Sequence, residues 1–285
     1  VLKVLSDTTI ELIIEDWADH FTSVPRKSTA SKNVRIIDTA FVIPQLKRAR
    51  RIWVYLPKDY SISNKHYPVL YLHDGQNVFD DITSFSGEWG VDEFLDTSKL
   101  RTCIVVAIDN GGDKRLNEYS PYDFVLSGNA SASREYKGEG KEYVDFLAKI
   151  LKPYIDKKYH TLKDKPNTFI AGSSMGGLIS MYAVLKYPKV FGGVGVFSPA
   201  FWVVDAKLLD EIKANGKKVN SKIYFYAGKQ ESETMIPLTL KVFETMNKVS
   251  KSKMETVIRD EGKHNESTWR KEFPLFYKWI VANQK

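Results

Sequence analysis

Cysteine is all but absent from this chain: Cys103 is the only one in 285 residues. An internal disulfide is thereby excluded, and the apolar run Thr102–Ile108 around Cys103 marks a buried, inert thiol. Long hydrophobic runs are lacking too. No stretch approaches the roughly 18–20 apolar residues that a membrane-spanning helix needs, so no integral membrane segment is expected. The chain has no H-E-x-x-H helix, no cysteine–histidine cluster and no glycine-rich phosphate loop, and His73-Asp74 alone offers too few ligands for a metal site. Neither a metal nor a cofactor is expected. Zinc-finger, RRM and KH patterns are missing as well. The 42 Lys and Arg against 35 Asp and Glu leave a net charge of +7, but the basic residues are scattered. Their one tight cluster, Lys47, Arg48, Arg50 and Arg51, abuts a strand-like run and reads as a solvated edge. Nucleic acid is therefore not an expected partner. No internal repeat or low-complexity tract breaks the chain.

What is present is the composition of a globular protein, 43% hydrophobic and 27% charged. Residues 1–32 read as an irregular lead-in, and residues 33–285 as one catalytic domain. The chain starts at Val1 rather than Met, which suggests a natural N-terminus lying upstream. From Asn33 the pattern is regular. Asn33–Ile43 and Arg51–Leu56 read as two strands joined through a turn at Pro44. Val69–His73 is a short apolar run between Pro68 and Gly75, the mark of a buried strand. Further strands are expected at 102–109, 168–171, 194–197, 222–227 and 255–259. Helical periodicity is clearest over Glu142–Tyr159, with Pro153 predicting a kink or break near Leu151. Other helices are expected at 176–187, 207–214, 238–250 and 268–283. Strands alternating with helices imply an α/β fold, a mostly parallel sheet of about eight strands covered on both faces. The first two strands lack an intervening helix and should form an antiparallel edge. Asn110–Gly140 fits no periodicity. A loop of that length following a strand is expected to form one wall of a ligand pocket.

The strongest chemical signal is Gly172-Ser173-Ser174-Met175-Gly176, a G-x-S-x-G pattern between an apolar strand and an amphipathic helix. The sharp turn excludes bulk two positions either side of Ser174 and holds that serine at a helix N-terminus, where developing negative charge is favoured. A serine hydroxyl needs a base. Of the five histidines, only His264 lies after the last strand, where the chain order Ser, acid, His of α/β-hydrolases requires it. The acid should fall between them. Glu231 and Glu233, in the loop after 222–227, are equally placed by spacing; Asp205 and Asp210 are weaker candidates. The oxyanion donors should be the backbone N–H groups of Met175 and of Gln76, in the loop after the third strand.

These segments resemble a known family. Leu72-His73-Asp74-Gly75-Gln76-Asn77-Val78-Phe79-Asp80, Gly172–Gly177, Phe197-Ser198-Pro199-Ala200-Phe201-Trp202 and Gly262-Lys263-His264-Asn265-Glu266 are similar to the esterase branch of the α/β-hydrolase superfamily that includes esterase D, enterochelin-esterase-like hydrolases and carbohydrate esterase family 1. The resemblance covers about residues 33–282. It implies Ser174 as nucleophile, His264 as base, and Gln76 and Met175 as oxyanion donors. It also favours Glu231 over Glu233, although Gly228-Lys229-Gln230-Glu231 is one residue longer than the family's G-K-E-like turn. The lead-in resembles the tail of a β-sandwich module that precedes the hydrolase in some bacterial relatives.

The expected activity is that of a serine carboxylesterase acting through an acyl-enzyme on a carbohydrate-linked acetyl or feruloyl ester. A siderophore-type esterase and an acyltransferase are the alternatives, and a non-catalytic binding module is disfavoured. Trp89, Arg115, Tyr119, Tyr122, Trp202 and Trp269 are candidate substrate contacts. The expected partner is a small-molecule or carbohydrate ester, and a periplasmic or secreted location is favoured over a cytoplasmic one. Oligomeric state is not legible.

Overall fold

The computed structural model describes residues 2–6, 9–12, 27–127 and 133–282. In chain order the strands are β1 (Leu2–Ser6), β2 (Thr9–Leu12), β3 (Val34–Ile43), β4 (Arg48–Tyr55), β5 (Val69–His73), β6 (Ile104–Ile108), β7 (Phe124–Ser127), β8 (Ser133–Tyr136), β9 (Thr168–Ser173), β10 (Gly193–Phe197), β11 (Lys222–Gly228) and β12 (Lys253–Arg259). The helices are α1 (Val91–Thr97), α2 (Arg115–Glu118), α3 (Gly140–Phe146), α4 (Lys152–Lys158), α5 (Met175–Lys186), α6 (Asp205–Asn215), α7 (Met235–Val249) and α8 (Glu266–Val281). Eight strands form the central sheet in the order β12-β11-β10-β9-β5-β6-β4-β3. Six are parallel, and the hairpin β3–β4 joins β6 antiparallel at the edge, as its missing crossover helix requires.

Strand alternation explains the two covered faces. Val69, Tyr71, Ile104, Val106, Ile170, Val194 and Ile223 enter one apolar cluster with α3 to α7. Leu70, Leu72, Val105, Ala107, Phe169, Ala171 and Tyr224 enter the other, closed by α1 and α8. Successive residues point to opposite faces, so a strand buried on both sides reads as an unbroken apolar run. Cys103 is fully buried, and burial pushes its thiol up to about 12. From β5 the chain passes to β6 on one side and returns to β9 on the other. The C-terminal ends of β5 and β9 therefore flank the point where strand order reverses, the place where open α/β sheets bind ligands.

Two expectations need correction. The basic cluster is not a solvated edge. Arg50 is buried against Glu118, Arg48 bonds both Glu118 and Glu139, and Arg51 bonds Asp109 at 2.7 Å. Glu118 is fully buried, and guanidinium groups are what a buried carboxylate requires. The segment 110–140 is not one irregular loop either: it contains α2 and the β7–β8 hairpin, with residues 128–132 outside the described residues.

The helix expected over 142–159 is interrupted as Pro153 foretold. A π-turn at Leu147–Leu151 separates α3 from α4. Proline removes the N–H that would continue the α ladder, and a widened turn accommodates the loss. In the lead-in, β1 and β2 pair antiparallel, so part of it is strand rather than irregular. The rest through residue 26 lies outside the described residues. Residues 28–33 run along the catalytic domain on a row of carboxylates. Ser28 and Thr29 bond Asp80, Thr29 also bonds Glu88, Ser31 N–H donates to Asp92 at 2.7 Å, and Asn33 donates to Asp96 at 2.7 Å.

Candidate active site

Ser174 sits between the end of β9 and the start of α5 with φ 57° and ψ −121°. A left-handed φ is costly for a residue with a side chain, on the order of 1–3 kcal/mol, and persists only where neighbours enforce it. Here Ser174 N–H donates to Phe197 O at 2.9 Å, and Ser174 O accepts from Ala200 N–H at 3.0 Å. The turn is so tight that a Cβ on Gly172 would come within 3.0 Å of the Gly176 backbone. As the first residue of α5, Met175 presents an N–H with no intrahelical acceptor. On the neighbouring strand end, Gly75–Asn77 forms a single 3-10 turn after β5. Gly75 is required there, because a Cβ would lie 2.8 Å from the Ile108 backbone. Gln76 is fixed by Asn110 N–H donating to its Oε1 at 3.2 Å and by Thr83 donating to its carbonyl at 2.7 Å. Both bonds use its acceptors, and a 3-10 turn leaves the N–H of its first residues free.

His264 lies in the turn between β12 and α8. Its Nδ1 is 2.7 Å from Glu231 Oε2. The other oxygen of Glu231 accepts from Gly228 N–H at 2.7 Å and from Ser198 Oγ at 2.8 Å. The carboxylate is fully buried while the imidazole is 40% exposed. With Nδ1 occupied by a carboxylate, the ring's other nitrogen is the one available for chemistry. Of the two spacing-equivalent acids, Glu231 meets the histidine and Glu233 is exposed. Asp205 pairs with Lys241 and Asp210 with Lys213, both away from His264.

Ser174, His264 and Gln76 line one cavity of about 780 Å³, together with Asp74, Arg115, Phe85 and Trp269. Arg115 grips Asp74 through Nε at 2.6 Å and a second nitrogen at 2.9 Å, and Asn110 donates to the same carboxylate at 2.7 Å. Burial favours the neutral acid, but Arg115 and Asn110 outweigh it and hold Asp74 below the usual carboxylate range. His73 lies beneath the nucleophile turn, fully enclosed. Its Nδ1 is 3.0 Å from Tyr143 Oη, and burial lowers its pKa to about 4, so it is neutral at physiological pH.

The substrate contacts expected from sequence divide. Arg115, Trp202 and Trp269 border the site or its neighbouring pocket. Tyr119 does not: it is fully buried, its hydroxyl oxygen accepts from Asp74 N–H at 3.2 Å, and its ring packs on His73. Tyr122 packs edge-on against Tyr182. Trp89 is core, edge-on to Phe197 and Phe273. Of the long segment, Asn110, Gly112 and Arg115 reach the cavity, and the aromatics do not. Ser198 was missed by sequence reasoning. At φ 42° it links Trp269 Nε1, 2.9 Å away, to Glu231, and only its place in the Phe197–Trp202 segment hinted at a role.

Known proteins resemble this chain in sequence and in fold. "Uncharacterized protein YbbA" of Bacillus subtilis (strain 168) is 22% identical over 245 residues, 83% of this chain and 94% of that protein. "Endo-1,4-beta-xylanase/feruloyl esterase" of Xylanibacter ruminicola is 26% identical over 224 residues, 76% of this chain but 27% of that longer protein. The crystal structure of the BES protein from Bacillus cereus shares the fold with a TM-score of 0.72 at 18% identity, covering 91% of this chain and 99% of that one. The family profile described as "Putative esterase" matches residues 43–279. With most of its length matched and a serine turn of this kind on an α/β sheet, the chain belongs to that esterase family of the α/β-hydrolase superfamily and is an enzyme acting on carboxylic esters.

Proposed function

We propose that Ser174, His264 and Glu231 act as a catalytic triad on a carbohydrate-linked ester, with feruloyl favoured over acetyl as the acyl group. The observation that carries this reading is the buried Glu231 on Nδ1 of His264, whose side chain lines the same cavity as Ser174. Ser174 Oγ attacks the ester carbonyl carbon as His264 Nε2 takes the hydroxyl proton. The carbonyl oxygen becomes an oxyanion against the N–H groups of Gln76 and Met175. Collapse breaks the bond to the alcohol oxygen, which receives the proton from His264 and leaves. Water then attacks the acyl-serine, His264 takes one of its protons, and the second collapse returns that proton to Ser174 as the acid departs. Glu231 holds the imidazole orientation and stabilises its cation throughout.

Size bears on the acyl group. A cavity of about 780 Å³ is in the range of pockets for drug-sized ligands, and an acetyl group would leave most of it filled with water. A hydroxylated aromatic acyl suits its mixture of Phe85, Trp269 and polar side chains. The relative described as a feruloyl esterase supports the same class.

The test compares a feruloylated sugar, an acetylated sugar and a siderophore ester, with Ser174→Ala as the control. The feruloylated sugar should have the highest kcat/KM, and the control should lose several orders of magnitude while staying folded. Preference for either other ester would overturn the acyl assignment. An active, folded Ser174→Ala enzyme would overturn the triad.

A further inference from the structure

A second, smaller pocket of about 350 Å³ lies beside the first, with His264 belonging to both. Its other walls are Trp202, Ser232, Thr234 and Met235. Trp202 stands on a short helical turn, Phe201–Val203, in which Phe201 is fully buried while Trp202 is 50% exposed. An indole half in water next to a catalytic centre is an unfilled platform. Met235 is buried at the start of α7, and the hydroxyls of Ser232 and Thr234 lie 3.3 Å apart on the exposed turn before it. The pocket thus pairs an apolar indole surface and a thioether with two hydroxyls that both donate and accept.

We infer that this pocket is the subsite for the alcohol half of the substrate, and that it takes a sugar ring stacked on Trp202. This rests on the triad reading above. In that chemistry the departing alcohol oxygen receives its proton from His264, so the alcohol must lie against the imidazole. The acyl carbon must lie at Ser174, with its oxygen at Gln76 and Met175. The larger cavity contains Ser174, Gln76 and His264; the smaller contains His264 alone of the three. The acyl half belongs to the former, which leaves the latter for the alcohol. A sugar fits the lining: its C–H face meets the indole, and its hydroxyls meet Ser232 and Thr234.

The test holds the acyl group constant and varies the alcohol. Trp202→Ala is assayed with methyl ferulate and with feruloylated arabinose. KM for the sugar ester should rise about tenfold, while kcat/KM for the methyl ester stays within about twofold, since only the larger alcohol reaches the platform. Trp202→Phe should recover part of the loss. A second readout needs no turnover: calorimetric binding of a free arabinose-containing oligosaccharide to Ser174→Ala, lost in Ser174→Ala with Trp202→Ala. Equal loss on both esters would make Trp202 an acyl contact or scaffold, and no change on either would put the alcohol elsewhere; both overturn the subsite. If the triad reading itself fails, folded Ser174→Ala still hydrolyses both esters, whereas a failed subsite leaves that variant inactive and wild-type hydrolysis intact.

Discussion

His264 and Glu231 show how one carboxylate is chosen over its neighbour. Glu231 and Glu233 differ by two residues, yet only the former turns inward to a backbone N–H, a serine hydroxyl and an imidazole. Three donors converge on this one buried carboxylate. Glu231→Gln should therefore lower kcat on the order of 10²- to 10⁴-fold, because an amide cannot stabilise the imidazolium. Glu233→Gln should stay within about twofold, and steady-state kinetics on any turned-over ester would reveal the reverse ranking. His73 makes a different prediction. Its folded pKa of about 4 lies below the ordinary 6.5, so the unfolded chain binds a proton that the native one refuses. Stability from this site is complete above about pH 6.5 and falls as pH drops towards 4, by on the order of 3 kcal/mol. Urea midpoints for wild type and His73→Asn between pH 7 and 4.5 should converge as the pH falls; parallel curves would refute the assignment.

Elements set the terms at the next scale. The strap of residues 28–33 rests on α1 and the segment before it. Burial and the neighbouring Glu93 push Asp92 on α1 up to about 8, against an ordinary value of 3.8. The native state thus holds a proton that the unfolded chain has released. The cost is nil at acid pH and grows as pH rises from about 4 to about 8, so stability falls across that window. Asp92→Asn keeps an acceptor for Ser31 N–H and has no proton to lose. Its thermal midpoint should vary less than that of wild type between pH 6 and 9, and an unchanged pH dependence would contradict the account. The same scale explains which parts of the fold were legible. Buried parallel strands announce themselves as apolar runs between turn residues, and β5, β9 and β10 were read to within about two residues by that rule. The partners of Arg48 and Arg50 were not legible. Glu118 and Glu139 come from segments far along the chain, and nothing in local charge order says that a cation will be buried.

Across the whole molecule, Ser174 and His264 were legible as a candidate nucleophile and base from their places in the strand order, whereas spacing alone left Glu231 and Glu233 equal. The substrate contacts were not legible. Trp89, Tyr119 and Trp202 are all aromatics in loops or at element ends, but two are sealed in the interior and one is half in water. That difference is decided by what packs over them from elsewhere, which is tertiary information. The strap carries one more implication. Its hydroxyls hold Asp80 and the Asp81 N–H, and three to six residues further on Thr83–Ser86 border the cavity. Any chain preceding residue 27 is thereby leashed beside the mouth of the active site, rather than at the remote start of β3. The effective concentration of an ester held by anything that enters through that strap is therefore counted from the rim of the cavity rather than from the far edge of the sheet.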